Sequence, residues 1–231
     1  MNDPKQYHFD LPDGGAPDDA PLAERWFPNV KKAALKVSKS RGVDPIEGVT
    51  TIVVHATAGS SSAGAASVIF DRRASFHWLV PDEDEPQHGH FVWATCHEAR
   101  AAFHVRKDKS HPRIAGGKRD VNRFSLGIEI VNAQRSSDHF SDWQVEATAG
   151  IVRYAWAKYP NLEHVCSHAM LDPARRSDPG THFPWNDFRD LVLRAKPAAV
   201  DPLVAQATHL PVGGATASCC IDETGAAVAL G

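Results

Sequence analysis

Two short stretches, far apart in the chain, carry residues that can do chemistry together. Thr51-Ile-Val-Val-His55 is an apolar, β-branched run that ends on an imidazole. A second stretch begins at His168 and closes on Asp178-Pro179-Gly180. Two imidazoles and one carboxylate suffice to hold a zinc ion while one of its four positions stays open to water. That open position separates a hydrolytic metal from a structural one. If the three side chains converge, the chain is a metal-dependent hydrolase.

Each piece has a plainer reading when taken alone. A lone histidine is more often a satisfied core residue than a ligand. Asp-Pro-Gly is a common turn, and its aspartate serves either a ligand or its own backbone as an Asx turn. Glu129 is more telling, because it stands in mid-strand, where glutamate is depleted. Its same-face neighbours, Ser125 and Gly127, are small and leave room for substrate or water beside the carboxylate. That makes Glu129 a candidate general base; the alternative is a solvated face. Arg175 and Arg176 precede Asp178, and either can stabilise an oxyanion, although a solvated charge pair is the simpler reading for Arg175. His77 and His104 follow Phe76 and Phe103 and either line a cleft or donate to backbone carbonyls. The tryptophans at 78, 143, 156 and 185 read as packing.

The elements that must position these groups are partly readable. Residues 51–57 read as a buried strand broken by Ala58-Gly59-Ser60, and 60–73 as a helix that Ser61 or Ser62 can cap. Strands are expected over 76–80, 91–95, 124–131 and 162–166. In 124–131, Phe124, Leu126, Ile128 and Ile130 fall on one face. Ser141-Asp-Trp-Gln144 has the pattern of a capping box and opens a helix that Pro160 follows. A last helix starts at Asn186 or Asp187 and runs to about Ala195. Residues 105–121 read as a long loop, 30–41 as a short helix, and 1–29 as an irregular arm. The tail, 197–231, either forms a hairpin about Glu223 or stays loose.

Bulk properties narrow the class. With 231 residues, 42% hydrophobic and 23% charged, the chain suits one substantial domain plus extensions. A formal net charge of −3 gives no global field to attract nucleic acid or an anionic membrane. Thirteen histidines are enough that some warrant a metal or proton-transfer role. The four cysteines form no CxxC pair, so they read as free thiols rather than a zinc site. No basic and apolar leader opens the sequence and no apolar run of about 18 residues occurs, so neither a Sec signal nor an integral membrane segment is expected. The expectation is synthesis in the cytoplasm, with any action on a cell wall following lysis or dedicated export.

With these residues in this order, the chain resembles the zinc-dependent N-acetylmuramoyl-L-alanine amidases of the type 2 amidase family. That family is related in fold to peptidoglycan recognition proteins and phage amidase lysozymes. The resemblance runs through Ile52-Val-Val-His55-Ala-Thr, Ser75-Phe-His77-Trp, Ala102-Phe-His104, Asn122-Arg-Phe-Ser-Leu-Gly-Ile-Glu129 and His168 through Trp185. It implies an α/β fold with a central mixed β-sheet flanked by helices. It implies Zn2+ on His55, His168 and Asp178, Glu129 as catalytic base, and Arg176 as electrostatic stabiliser where relatives carry lysine. His104, His77, Phe103 and Asn122 are the implied substrate-binding residues. The implied activity is hydrolysis of the amide between N-acetylmuramic acid and L-alanine in peptidoglycan or muropeptides, as in a recycling enzyme, an endolysin or an antimicrobial effector. The rival is a non-catalytic peptidoglycan-binding module. The expected division is an arm over 1–47 with a short helix, a zinc amidase domain over 48–196, and an extension over 197–231.

Overall fold

The computed structural model describes residues 3–18, 21–86 and 89–194. In chain order the elements are β1 (His8–Asp10), β2 (Glu24–Trp26), α1 (Val30–Ala34), β3 (Ser38–Ser40), α2 (Pro45–Gly48), β4 (Thr51–Ala56) and α3 (Ser62–Phe70). Next come β5 (Trp78–Val80), β6 (Val92–Ala94), β7 (Arg100–Ala102) and β8 (Ser125–Ile130). The last are α4 (Asp142–Lys158), β9 (His164–Ser167), α5 (His168–Leu171) and α6 (Trp185–Leu193).

Seven strands form one mixed sheet in the order β1-β9-β4-β8-β5-β6-β2, and β3 pairs with β7 in a separate two-stranded ribbon. The centre, β9-β4-β8-β5, is parallel. Parallel strands are covered on both faces and so read as continuous apolar runs. Every residue of β4 is accordingly buried. On one face Ile52, Val54, Leu126, Ile128 and Ile130 pack with Val145, Ala149 and Val152 of α4 and Phe188 and Val192 of α6. Burying side chains of this size contributes roughly 1.5–3 kcal/mol each. On the other face Leu79 joins Val30 and Ala34 of α1 and Ala65 and Ile69 of α3. Val53 and Cys166 are covered there by Val105, Ile114, Val121, Phe124 and Met170. The expected mixed sheet between helices is the fold.

Helix ends follow local chemistry. Ser141 caps α4 by accepting from Gln144 N–H at 3.1 Å while Gln144 Oε1 accepts from Ser141 N–H at 3.2 Å, the full reciprocal capping box. Ser61, rather than Ser62, caps α3.

Several expectations are corrected. The first 29 residues are not an irregular arm: β1 pairs antiparallel with β9, and β2 pairs parallel with β6, so they supply both edges of the main sheet. The helix expected over 30–41 stops at Ala34, continues as a 3-10 turn to Val37, and gives way to β3. α2, β3 and β7 were not foreseen, being three or four residues long and hence too short to show a period. Phe124 lies just before β8 at the end of a 3-10 turn, with ψ 13°. It packs with Val53 and Ile114 instead of alternating with Leu126. α6 begins at Trp185, ahead of Asn186. Cys96 and Cys166 are buried free thiols. The expected hairpin about Glu223, Cys219 and Cys220 lie outside the described residues. Among the described residues no helix is long and apolar enough to cross a membrane.

Candidate active site

Strand register brings the chemistry together. In the parallel pair β4–β8, His55 stands directly opposite Glu129, so both side chains leave the same sheet face. In β4–β9, Val54 pairs with Ser167, which puts His168, the next residue, beside His55. Three adjacent strands thus deliver three functional groups in one row at their carboxyl ends, where open α/β sheets bind ligands. The Ser167 hydroxyl caps α5 by accepting from Met170 N–H at 3.0 Å and so aims His168. Asp178 arrives from the following loop. Ala169 N–H donates to its carbonyl at 3.0 Å, and Gly180, at φ +96°, closes the turn by donating to the Ser177 carbonyl at 2.8 Å.

His55 Nδ1 lies 2.9 Å from His168 Nδ1 and 3.3 Å from Asp178 Oδ2. His168 Nδ1 lies 3.0 Å from the same carboxylate oxygen. All three residues are buried. Metal–ligand bonds of about 2.0–2.1 Å at tetrahedral angles set donors roughly 3.3 Å apart, close to the separations here. Hydrogen bonding alone satisfies this trio poorly. A neutral imidazole has one N–H, so three atoms in mutual contact leave lone pairs opposed, and a cation at their common focus removes the conflict. The residues fit zinc.

Electrostatics point the same way. Burial, reinforced by the neighbouring His168, pulls the His55 pKa down to about 4, so its ring is neutral and able to ligate. Burial works to raise the Asp178 pKa, but hydrogen bonds with His168 and His55 hold it well below the usual carboxylate range. Glu129 moves the other way. Burial and the nearby Asp178 charge push it up to about 8, against the opposing pull of Arg176. Its Oε2 stands 4.0 Å from His55 Nδ1. Two carboxyls with pKa values driven apart is the pattern of one ligand and one proton carrier.

These groups line a cleft of about 480 Å³ that also holds Arg176 and Phe76. Arg175 is on its wall as well, but its guanidinium donates to the buried Asp172 at 3.2 Å, a partner other than solvent. Phe103 and Asn122 line an adjoining recess of about 290 Å³ that shares His104, His168 and Arg176 with the cleft. Asn122 is spent on architecture: its amide donates to the Val105 carbonyl at 2.6 Å and its oxygen accepts from Val105 N–H at 2.9 Å.

His104 lines the cleft and also touches His55. Its Nδ1 is 3.1 Å from His55 Nε2 and its Nε2 3.1 Å from Ser125 Oγ. Burial, and then His55 and His77, hold its pKa well below normal. The small residues beside Glu129 therefore make room for this ring and not for substrate: a Cβ on Gly127 would lie 2.7 Å from His104 Cγ. His77 is corrected outright as a cleft residue. It is fully buried, accepts from Gly127 N–H at Nδ1 at 2.9 Å, and donates from Nε2 to the Arg100 carbonyl at 3.0 Å. Burial and the Arg41 charge pull its pKa down to about 3.

Gln134 in the cleft, and Arg41 behind it, were not foreseen. Gln134 lines the cleft, donates to the Ala56 carbonyl at 3.3 Å and accepts from Ser177 Oγ at 3.5 Å, tying the end of β4 to the ligand loop. Arg41 is buried, with its guanidinium donating to the carbonyls of Glu98, Arg123 and Ser125 at 2.9–3.1 Å. An arginine just past the end of β3 offers no periodic signal; only its burial reveals it.

Comparison with known proteins agrees with this geometry. The model of a family described as N-acetylmuramoyl-L-alanine amidase matches residues 45–181. N-acetylmuramoyl-L-alanine amidase AmiD of Escherichia coli K12 is 28% identical over 180 residues, covering 73% of this chain and 63% of that protein. The 1,6-anhydro-N-acetylmuramyl-L-alanine amidase AmpD of Salmonella typhimurium LT2 is 34% identical over 77 residues, covering 33% of this chain and 40% of that protein. The chain thus spans less than two thirds of either relative's length. The crystal structure of AmpDh3 from Pseudomonas aeruginosa superposes with a TM-score of 0.56 at 25% identity, covering 63% of this chain and 60% of that one. The match takes in His55, Glu129, His168 and Asp178 together with the strands that carry them, and the chain belongs to the type 2 N-acetylmuramoyl-L-alanine amidase family.

Proposed function

We propose that this protein is a zinc-dependent amidase that cleaves the bond between N-acetylmuramic acid and L-alanine in peptidoglycan or its fragments. The observation that carries the reading is the convergence of His55, His168 and Asp178 within 3.3 Å beside the Glu129 carboxyl, whose Oε2 lies 4.0 Å from His55 Nδ1.

His55, His168 and Asp178 hold the metal in this reading. When bound, zinc supplies a Lewis acid that polarises the scissile carbonyl and acidifies water. Glu129 accepts the proton of the attacking water at its carboxylate and returns it to the leaving nitrogen of L-alanine. Arg176 stabilises charge on the carbonyl oxygen as a fixed cation, since guanidinium does not give up its proton. His104 fixes the ring of His55, and with Phe103 forms the wall against which the muramyl peptide rests. Asn122 and His77 hold that wall in place. The chemistry is assigned to residues 48–196, with 197–231 as an extension.

The test is mass spectrometry of products from intact sacculi and from soluble anhydro-muropeptides, side by side, with chelated and zinc-restored protein. Release of stem peptide that vanishes on chelation and returns with zinc supports the reading. Turnover indifferent to metal removes it, and zinc-loaded protein that binds muropeptide without turnover makes the chain a recognition module instead. The faster of the two substrates assigns wall lysis or fragment hydrolysis.

A further inference from the structure

We propose that His8, Asp10 and His164 form a second divalent-metal site, of zinc type, which fastens the first strand to the sheet. In the β1–β9 pair, Asp10 stands opposite His164. His8, two residues earlier in β1, leaves the same face as Asp10. The three donors therefore meet by register, as the catalytic trio does. His164 opens β9 while His168 follows its end, so the two clusters are separated by about 13 Å of extended chain.

The distances are those of shared ligation. Asp10 Oδ1 lies 2.9 Å from His8 Nε2 and 2.9 Å from His164 Nδ1, and the three donor atoms lie within 4.8 Å of one another. His8 is the decisive residue. Its side chain is only 1% exposed, yet neither ring nitrogen makes a hydrogen bond. The approach of Nε2 to Asp10 Oδ1 is short yet forms no hydrogen bond, and that oxygen is already bonded to His164 Nδ1. Co-ligands of one ion behave in this way, because each points to the cation and not to its neighbour. A buried imidazole without a hydrogen bond calls for an explanation, and a cation supplies one.

Two imidazoles and one carboxylate select zinc or a similar transition metal over calcium or magnesium, which favour all-oxygen sites. The Asp10 side chain is 56% exposed, leaving water access to complete the coordination. Glu163 Oε2, 3.5 Å from His164 Nε2, adds negative charge. Arg113 and His111, which also act on His8, oppose a cation there.

The experiment is zinc stoichiometry on the full chain, stripped by chelator and titrated with zinc chloride against a chromophoric competitor. Wild type is expected to bind two equivalents. Asp10→Asn, a surface-exposed near-isostere, is expected to bind one and keep amidase activity. Asp178→Asn is expected to bind one and lose activity, and the double variant neither. His8→Gln repeats the Asp10→Asn result through a different ligand. In Asp178→Asn, zinc is expected to raise the melting temperature, and in the double variant it is not. A single equivalent in wild type that survives Asp10→Asn and His8→Gln overturns this inference and leaves the proposed function standing. A single equivalent that survives Asp178→Asn but not Asp10→Asn does the reverse.

Discussion

A carboxyl group held near pKa 8 by burial beside a second carboxylate is useful only where protons move. Replacing Glu129 with glutamine keeps its shape and removes its proton. The expected outcome is zinc content equal to wild type with turnover lowered about 10²–10⁴-fold, checked by metal analysis and muropeptide hydrolysis on one preparation. Full activity in that variant would remove Glu129 from the mechanism. Asp178→Ala should act differently, weakening zinc binding by at least about 10–100-fold, read by competition with a chelator. These residues were legible in the sequence because each stands at a strand end, a turn or an unusual mid-strand position. The work of Ser125 and His77 was not, since it is set by what the fold lays over them. Small residues near a glutamate look like space for substrate, and only the placement of the His104 ring shows that the space is taken.

At the scale of an element, β8 carries Glu129 on a strand that must stay narrow at Gly127. Gly127→Ala would press a methyl group against His104, at a cost of about 1–3 kcal/mol. The ring displaced would be the one that steadies His55, so both melting temperature and zinc affinity should fall. The same strand is pinned from the side by His77, whose folded pKa is depressed to about 3. Above the unfolded value of about 6.5 both states are neutral there. As pH falls below it, the unfolded chain takes a proton that the folded ring refuses, and stability drops by up to about 1.4 kcal/mol per pH unit until about pH 3. His77→Asn should therefore be less stable at pH 7 yet lose stability less steeply between pH 6.5 and 4, measured by urea denaturation at each pH. β4, β8 and α4 were readable in advance, through a β-branched run, a clean alternation and a capping box. The three-residue strands β1, β2, β3 and β7 were not, because pairing with neighbours makes them and no local period announces them.

At the scale of the whole molecule, the segment that looked irregular completes the sheet. Tyr7, Phe9 and Leu11 are buried in the main core, with Tyr7 stacked on Trp185 at 4.8 Å between ring centres. Removing residues 1–11 uncovers the edge of β9 and forfeits roughly 1.5–3 kcal/mol for each of these side chains. The melting temperature should fall by roughly 10–20 °C, measured by calorimetry; an unchanged value would mean the edge strand is dispensable. One further contact changes what such trimming would mean. The hydroxyl of Ser167, the residue before His168, donates to the Pro4 carbonyl at 2.5 Å, and its backbone N–H donates to the Tyr7 carbonyl at 3.0 Å. Residues 4–7 are thus a backstop directly behind His168. A protease that nicks this segment needs no access to the cleft to disarm it.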